Sequence, residues 1–255
     1  GLAILRSFQV DQALLGNLEL ARLTGLPNST VSRLTYTLTQ LGYLRYREAF
    51  GKYELAAGVV GLAYPYLASE NLPPIARPLM VELAQKTKTN VGLGVHDGMS
   101  VLYLEYALGE PLPNRRQRAG FRVPLVRTAM GRACIAGLYR ADLERLYDEL
   151  AEYYAREWPV LRPQLDDAVA QVQAHGYCIA SGTFDATTVS VAVPFMHEDR
   201  GTVMAFNSQG HAQVQTPTML ARNGRRLLEM AEEIRRRFSA PGGGAATLRA
   251  VDSER

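Results

Sequence analysis

The 255 residues are 47% hydrophobic, enough to bury a sizeable core in one large domain or two. The net charge is only +3, so composition alone does not select a nucleic-acid partner. No apolar run approaches about eighteen residues and no signal-peptide pattern is present, so no membrane role is expected. Cys134 and Cys178 stand far apart, which excludes a disulfide or zinc framework and fits a cytoplasmic location.

In chain order, residues 1–8 read as a short first helix. Leu18, Leu20, Ala21 and Leu23 mark a second, ending at Thr24-Gly25. After Leu26-Pro27 a third helix carries Val31, Leu34, Leu38 and Leu41 on one side, and Gly42 stops it. Asn28, Ser29, Thr30, Ser32, Arg33 and Tyr36 lie toward its start and other side. Two helices across a tight glycine turn, the second rich in hydroxyls, form a helix-turn-helix, whose second helix fits a DNA major groove. The alternative is an ordinary two-helix corner. Directly behind, Tyr43–Arg47 and Lys52–Leu55 alternate around Glu48-Ala49-Phe50-Gly51, a hairpin with Arg45, Arg47 and Lys52 placed for phosphate contacts. This is the winged form of the motif. Residues 1–70 hold six basic side chains against five acidic ones, but four of the six bases lie on the third helix or the wing. One copy should bind double-stranded DNA weakly, so at least a dimer on a two-part site is expected.

The stretch from Leu18 to Leu55 resembles the DNA-binding domain of IclR-type (isocitrate lyase regulator family) transcriptional regulators. Glu19, Ala21, Thr24-Gly25-Leu26-Pro27, Ser29-Thr30-Val31, Arg33-Leu34, Thr37-Leu38, Leu41-Gly42-Tyr43-Leu44 and Tyr53-Glu54-Leu55 carry the likeness.

Ala56–Glu70 is an apolar linker helix whose Val59, Val60, Leu62, Ala63 and Tyr66 have no evident partner within the small domain. It could pack on its own copy or on the second domain. Asn71-Leu72-Pro73-Pro74 breaks the chain, giving domains at 1–55 and 75–238, a linker at 56–74 and a flexible tail at 239–255. Ile75–Thr87 is a helix; Val91–His96 and Val101–Tyr106 form a hairpin across Asp97-Gly98. Thr128–Leu138, Ala141–Ala151 and Leu161–Ala174 are helices. Tyr177–Ser181, Val189–Phe195 and Thr202–Ser208 are strands, the last two joined around Glu198-Asp199-Arg200-Gly201. Pro217–Phe238 is a final helix. The chain is thus an α/β two-domain protein: a winged helix-turn-helix, then an α+β domain on an antiparallel sheet.

The likeness continues through Gly120–Leu125, Thr128–Arg132 and Gly176-Tyr177, and so covers roughly residues 1–238. It implies a profilin- or GAF-like effector-binding domain, a homodimer or homotetramer, and DNA binding set by a small metabolite, often a carboxylic acid. Seven arginines and no acid fall between Glu110 and Asp142, around the start of the Thr128 helix, a place that favours an anion. Arg115, Arg116 and Arg118 read as a solvated loop; Arg127, Thr128 and Ala129 are the pocket candidates. On the strands, the family's polar effector contacts map onto Ser190, Asn207 and Gln209, and its preceding acid onto Asp185, here in a shorter loop. Structural strand-end polar groups are the competing reading.

Two further classes stand beside this one: a winged domain that contacts protein, and an enzyme. No Gly-x-Ser-x-Gly elbow, P-loop or dinucleotide fingerprint is present. His96, His175, His197 and His211 are scattered, so neither a metal nor a cofactor is expected, and a triad of His96 or His211 with Asp185 is not selected over chance.

Overall fold

The computed structural model describes residues 1–9, 11–69, 72–109, 118–197 and 201–239. The loop around Glu198-Asp199-Arg200, the arginines 115 and 116, and residues 240–255 of the expected tail lie outside it. The chain divides into two compact units, Gly1–Glu70 and Asn71–Arg255.

In the first unit, α1 (Leu2–Arg6), α2 (Asn17–Thr24) and α3 (Asn28–Gln40) precede a hairpin of β1 (Leu44–Arg47) and β2 (Lys52–Leu55). Gly25 ends α2 at φ +69°, a left-handed turn that glycine adopts without strain and that sets α3 across α2. The core gathers Ile4, Phe8, Leu15, Leu20, Val31, Leu38 and Leu44. The predicted stripe on α3 needs one correction. Leu41 is exposed, and the buried position is Thr35, whose hydroxyl lies 3.2 Å from Asn17 Oδ1 and 3.1 Å from the Ser32 carbonyl. A buried hydroxyl with these acceptors satisfies itself where a period count sees only a polar residue. Leu15 pairs with Tyr53 by two backbone bonds, adding a strand-like rung to the wing. Helix α4 (Gly58–Ser69) follows, with Val60, Leu62 and Tyr64 outward.

The second unit opens with α5 (Leu72–Thr87). Pro73-Pro74, read from sequence as a break, sit in its first turn, where a missing N–H leaves no helical bond unmade. Six antiparallel strands follow in the spatial order β5-β4-β3-β8-β7-β6. They are β3 (Asn90–Asp97), β4 (Ser100–Ala107), β5 (Arg122–Pro124), β6 (Cys178–Ser181), β7 (Thr188–His197) and β8 (Thr202–His211). Strand β5 is too short to show alternation and escaped the sequence reading. Helix α5 and the last helix α9 (Pro217–Ser239) pack on one face, against Val91, Leu93, Val191, Val193, Phe195 and Phe206. On the other, α6 (Ala129–Ala136) and α8 (Trp158–His175) cover Val101, Tyr103, Ala180, Ala192 and Ala205, with α7 (Arg140–Tyr154) packed on α8.

A bulge between Leu93 and Gly94 shifts the β3–β4 register. It brings Tyr103 and Tyr106 to the same face, their rings edge-on at 5.4 Å. Among the described residues no helix is long and apolar enough to cross a membrane.

Candidate functional site

On the first unit, Asn28, Ser29, Thr30, Ser32, Arg33 and Tyr36 are all exposed along α3. The helix therefore presents a continuous strip of hydroxyl, amide and guanidinium groups, while Val31, Thr35 and Leu38 hold it to the core. The wing is more committed than its sequence implies. Arg45 and Arg47 both approach Glu54 at 3.6 Å, loose and solvent-exposed pairs that a phosphate can replace. Lys52 turns back onto α2, with its Nζ 2.9 Å from Glu19 Oε1. Glu19 also accepts the Gly16 N–H at 2.7 Å, and that bond, then Lys52, holds its carboxyl below the usual range. Lys52 thus fastens the wing to the start of α2 rather than standing free for phosphate.

On the second unit, one half-open cavity lies against β7 and β8, on the face of the sheet carrying α6. Its empty space, counted out to the mouth, is about 350 Å³. All seven residues selected from the sequence line it: Arg127, Thr128, Ala129, Asp185, Ser190, Asn207 and Gln209. Ser190 and Gln209 face each other across β7 and β8, and Asn207 lies two residues along β8. Asn207 Nδ2 is 3.3 Å from both Tyr103 Oη and Ser190 Oγ. Asn207 Oδ1 and Gln209 Nε2 are buried with no partner among the described residues. Exchanging the ends of the Asn207 amide would leave its other atom unpaired instead, so one hydrogen-bonding site stays open either way. Gly92, cross-strand from Asn207, makes the space: a Cβ there would stand 2.3 Å from the Tyr103 ring and 2.7 Å from Asn207 Oδ1.

Residues 64–236 match the family model described as bacterial transcriptional regulator IclR C-terminal, and residues 1–48 match the IclR helix-turn-helix domain. The chain belongs to the IclR family of transcriptional regulators. The regulator TsaQ1/TsaQ2 of Comamonas testosteroni is 32% identical over 94% of this chain and 87% of its own. An IclR family regulator from Brucella abortus is 36% identical with a TM-score of 0.81, covering 92% of this chain and 89% of its own. An IclR homolog from Microbacterium hydrocarbonoxydans, solved with 4-hydroxybenzoate, shares the fold at 20% identity and a TM-score of 0.70, over 92% of this chain and 97% of its own. These IclR relatives are regulators, and the enzymatic alternative falls with them. His96 bonds the Gly98 carbonyl and His211 accepts from the Gln213 N–H, and neither lines the cavity that Asp185 lines.

Within the IclR-type cavity the seven residues are not equivalent. Thr128 caps α6, accepting from Gly131 N and reaching the Pro124 carbonyl, each at 3.0 Å. Its hydroxyl donates once and accepts once within the fold, so Thr128→Ala is expected to cost about 1 kcal/mol of stability, seen as a lower melting temperature that Thr128→Ser restores. Lost ligand binding with unchanged melting would instead make it a contact. Asp185 takes the Thr187 N–H at 2.8 Å and its hydroxyl at 2.6 Å, shaping the β6–β7 loop. Arg127 lines the mouth, and its guanidinium is paired with Glu157. Of the other arginines, Arg122 pairs with Asp97, and buried Arg132 donates to the Val126 carbonyl and Gln164. Tyr103 and Thr183 were missed: an aromatic in a strand reads as core, and Thr183 as loop.

Proposed function

We propose that this IclR-family regulator binds its operator through α3 and the wing, and that a small metabolite in the β7–β8 cavity modulates that binding. Residues Asn28 to Tyr36 on α3, with Arg45 and Arg47, form the DNA surface; Lys52 holds the wing in place. Ser190, Asn207 and Gln209 orient the effector, a carboxylic or aromatic acid, and the first N–H groups of α6 offset its charge. What supports this reading is one observation: three strand residues and the start of a distant helix meet in one cavity with two unpartnered buried amide atoms. Buried polar groups without partners carry a cost, and a ligand that completes them removes it.

The regulator acts as a homodimer or homotetramer on a two-part operator in the cytoplasm. The near-neutral charge of its first 70 residues motivates this, because one copy neutralises few phosphates. Light scattering at micromolar concentration is expected to give twice 28.1 kDa or more. A monomer that protects a single half-site by itself would overturn that expectation. Mobility shifts at rising salt test the whole reading, since phosphate-anchored binding weakens as salt is added. With 4-hydroxybenzoate as a first effector probe, the same titration reads modulation.

A further inference from the structure

Arg127 belongs to two cavities. It lines the mouth of the β7–β8 cavity, and it also lines a wider open cleft with Arg156, Glu157, Val160, Leu161, Gln164 and Thr183. The empty space of that cleft is about 740 Å³. Thr183 lines both as well, and its Oγ1 donates to the Arg127 carbonyl at 2.6 Å, fixing the Arg127 backbone to the β6–β7 loop. The Arg127 guanidinium and the Glu157 carboxylate meet along this shared boundary. Both side chains are partly exposed, at 36% and 57%, so the pair is a weak one by the usual measure of surface ion pairs.

Glu157 reaches this place from a strained corner. Helix α7 ends at Tyr154, and Ala155 follows at φ +29°, ψ −88°, a conformation that residues with a side chain rarely adopt. Glu157 then stands at the first boundary position of α8, where its side chain makes no capping bond to the helix and is left for Arg127. A carboxylate at the mouth of the first cavity meets, beside the N–H groups of α6, a cation that Glu157 already holds.

We infer that Glu157 is a built-in competitor for the effector's acid group, occupying Arg127 in the ligand-free protein and yielding it when a carboxylate binds. The inference rests on the cavity being the effector site. Glu157 then sets specificity: it raises the concentration at which simple acids act, and it leaves neutral analogues unaffected.

The experiment compares acetate, benzoate and 4-hydroxybenzoate with acetamide, benzamide and 4-hydroxybenzamide by thermal shift and calorimetry. The full-length wild type, Glu157→Gln and Arg127→Gln are titrated alike, after unliganded melting curves confirm that each variant folds. In Glu157→Gln the acids should bind about two- to fivefold more tightly, and the amides unchanged. Arg127→Gln should lose the preference for acid over amide. Equal acid affinities in wild type and Glu157→Gln, or no response to any acid in Glu157→Gln, would overturn the inference. A Ser190→Ala/Asn207→Ala variant separates the two levels. If it abolishes binding while Glu157→Gln changes nothing, the cavity stands and the competitor fails. If it binds every probe as the wild type does, the cavity reading fails as well.

Discussion

Replacing Arg33 by alanine is expected to weaken operator binding by about 1–3 kcal/mol, roughly 5- to 150-fold, while thermal melting stays unchanged. Arg33 is exposed on α3, while Val31, Thr35 and Leu38 on the same helix face inward and hold it to the core. A guanidinium in the major groove can take two acceptors of one guanine, and its loss leaves those acceptors unserved at one base pair. The effect should therefore depend on operator sequence. Loss of Arg45 or Arg47 should instead be felt on every DNA, because those side chains pair only loosely with Glu54 and would meet phosphates, which carry no sequence. Wild-type affinity in Arg33→Ala with unchanged melting would remove α3 from the interface.

What the sequence made legible was whatever repeats within a few residues. Alternation along β7 separates Val191, Val193 and Phe195 from Ser190 and Ala192, and the two sets lie on opposite faces of the sheet. The glycines at 25 and 98 mark left-handed turns that only local chemistry requires. Partners distant in sequence were not legible. Lys52 reaches Glu19 across 33 residues, Arg127 reaches Glu157 across 30, and Thr183 reaches the Arg127 backbone across 56. Each is an ordinary polar residue in its own segment, and its role exists only once each unit has folded and brought the segments together. Thr128 is the instructive middle case: its position at a helix start is local information, and the same pattern fits a cap and an anion site.

Replacing Ser190 and Asn207 together by alanine is expected to abolish the effector response while ligand-free operator binding survives. Both side chains are buried in the cavity wall, and Asn207 Nδ2 connects Ser190 to Tyr103. Asn207 Oδ1 is buried without a partner among the described residues, so its removal spares stability more than the loss of a fully bonded amide would. For the ligand the two groups are orientation and affinity at once. The cavity lies in the second compact unit and Arg33 in the first, so any effect of ligand on DNA is a coupling between separate sites. Such couplings are typically about 1–3 kcal/mol, roughly five- to 150-fold. They are reciprocal: a ligand that lowers DNA affinity by some factor must itself bind the DNA complex more weakly by that factor. Calorimetric titration of 4-hydroxybenzoate and other small acids, with and without operator, should give that factor from both directions in the wild type and unity in the double variant. A double variant that still responds as the wild type does would place the effector elsewhere and leave these strands a purely structural role.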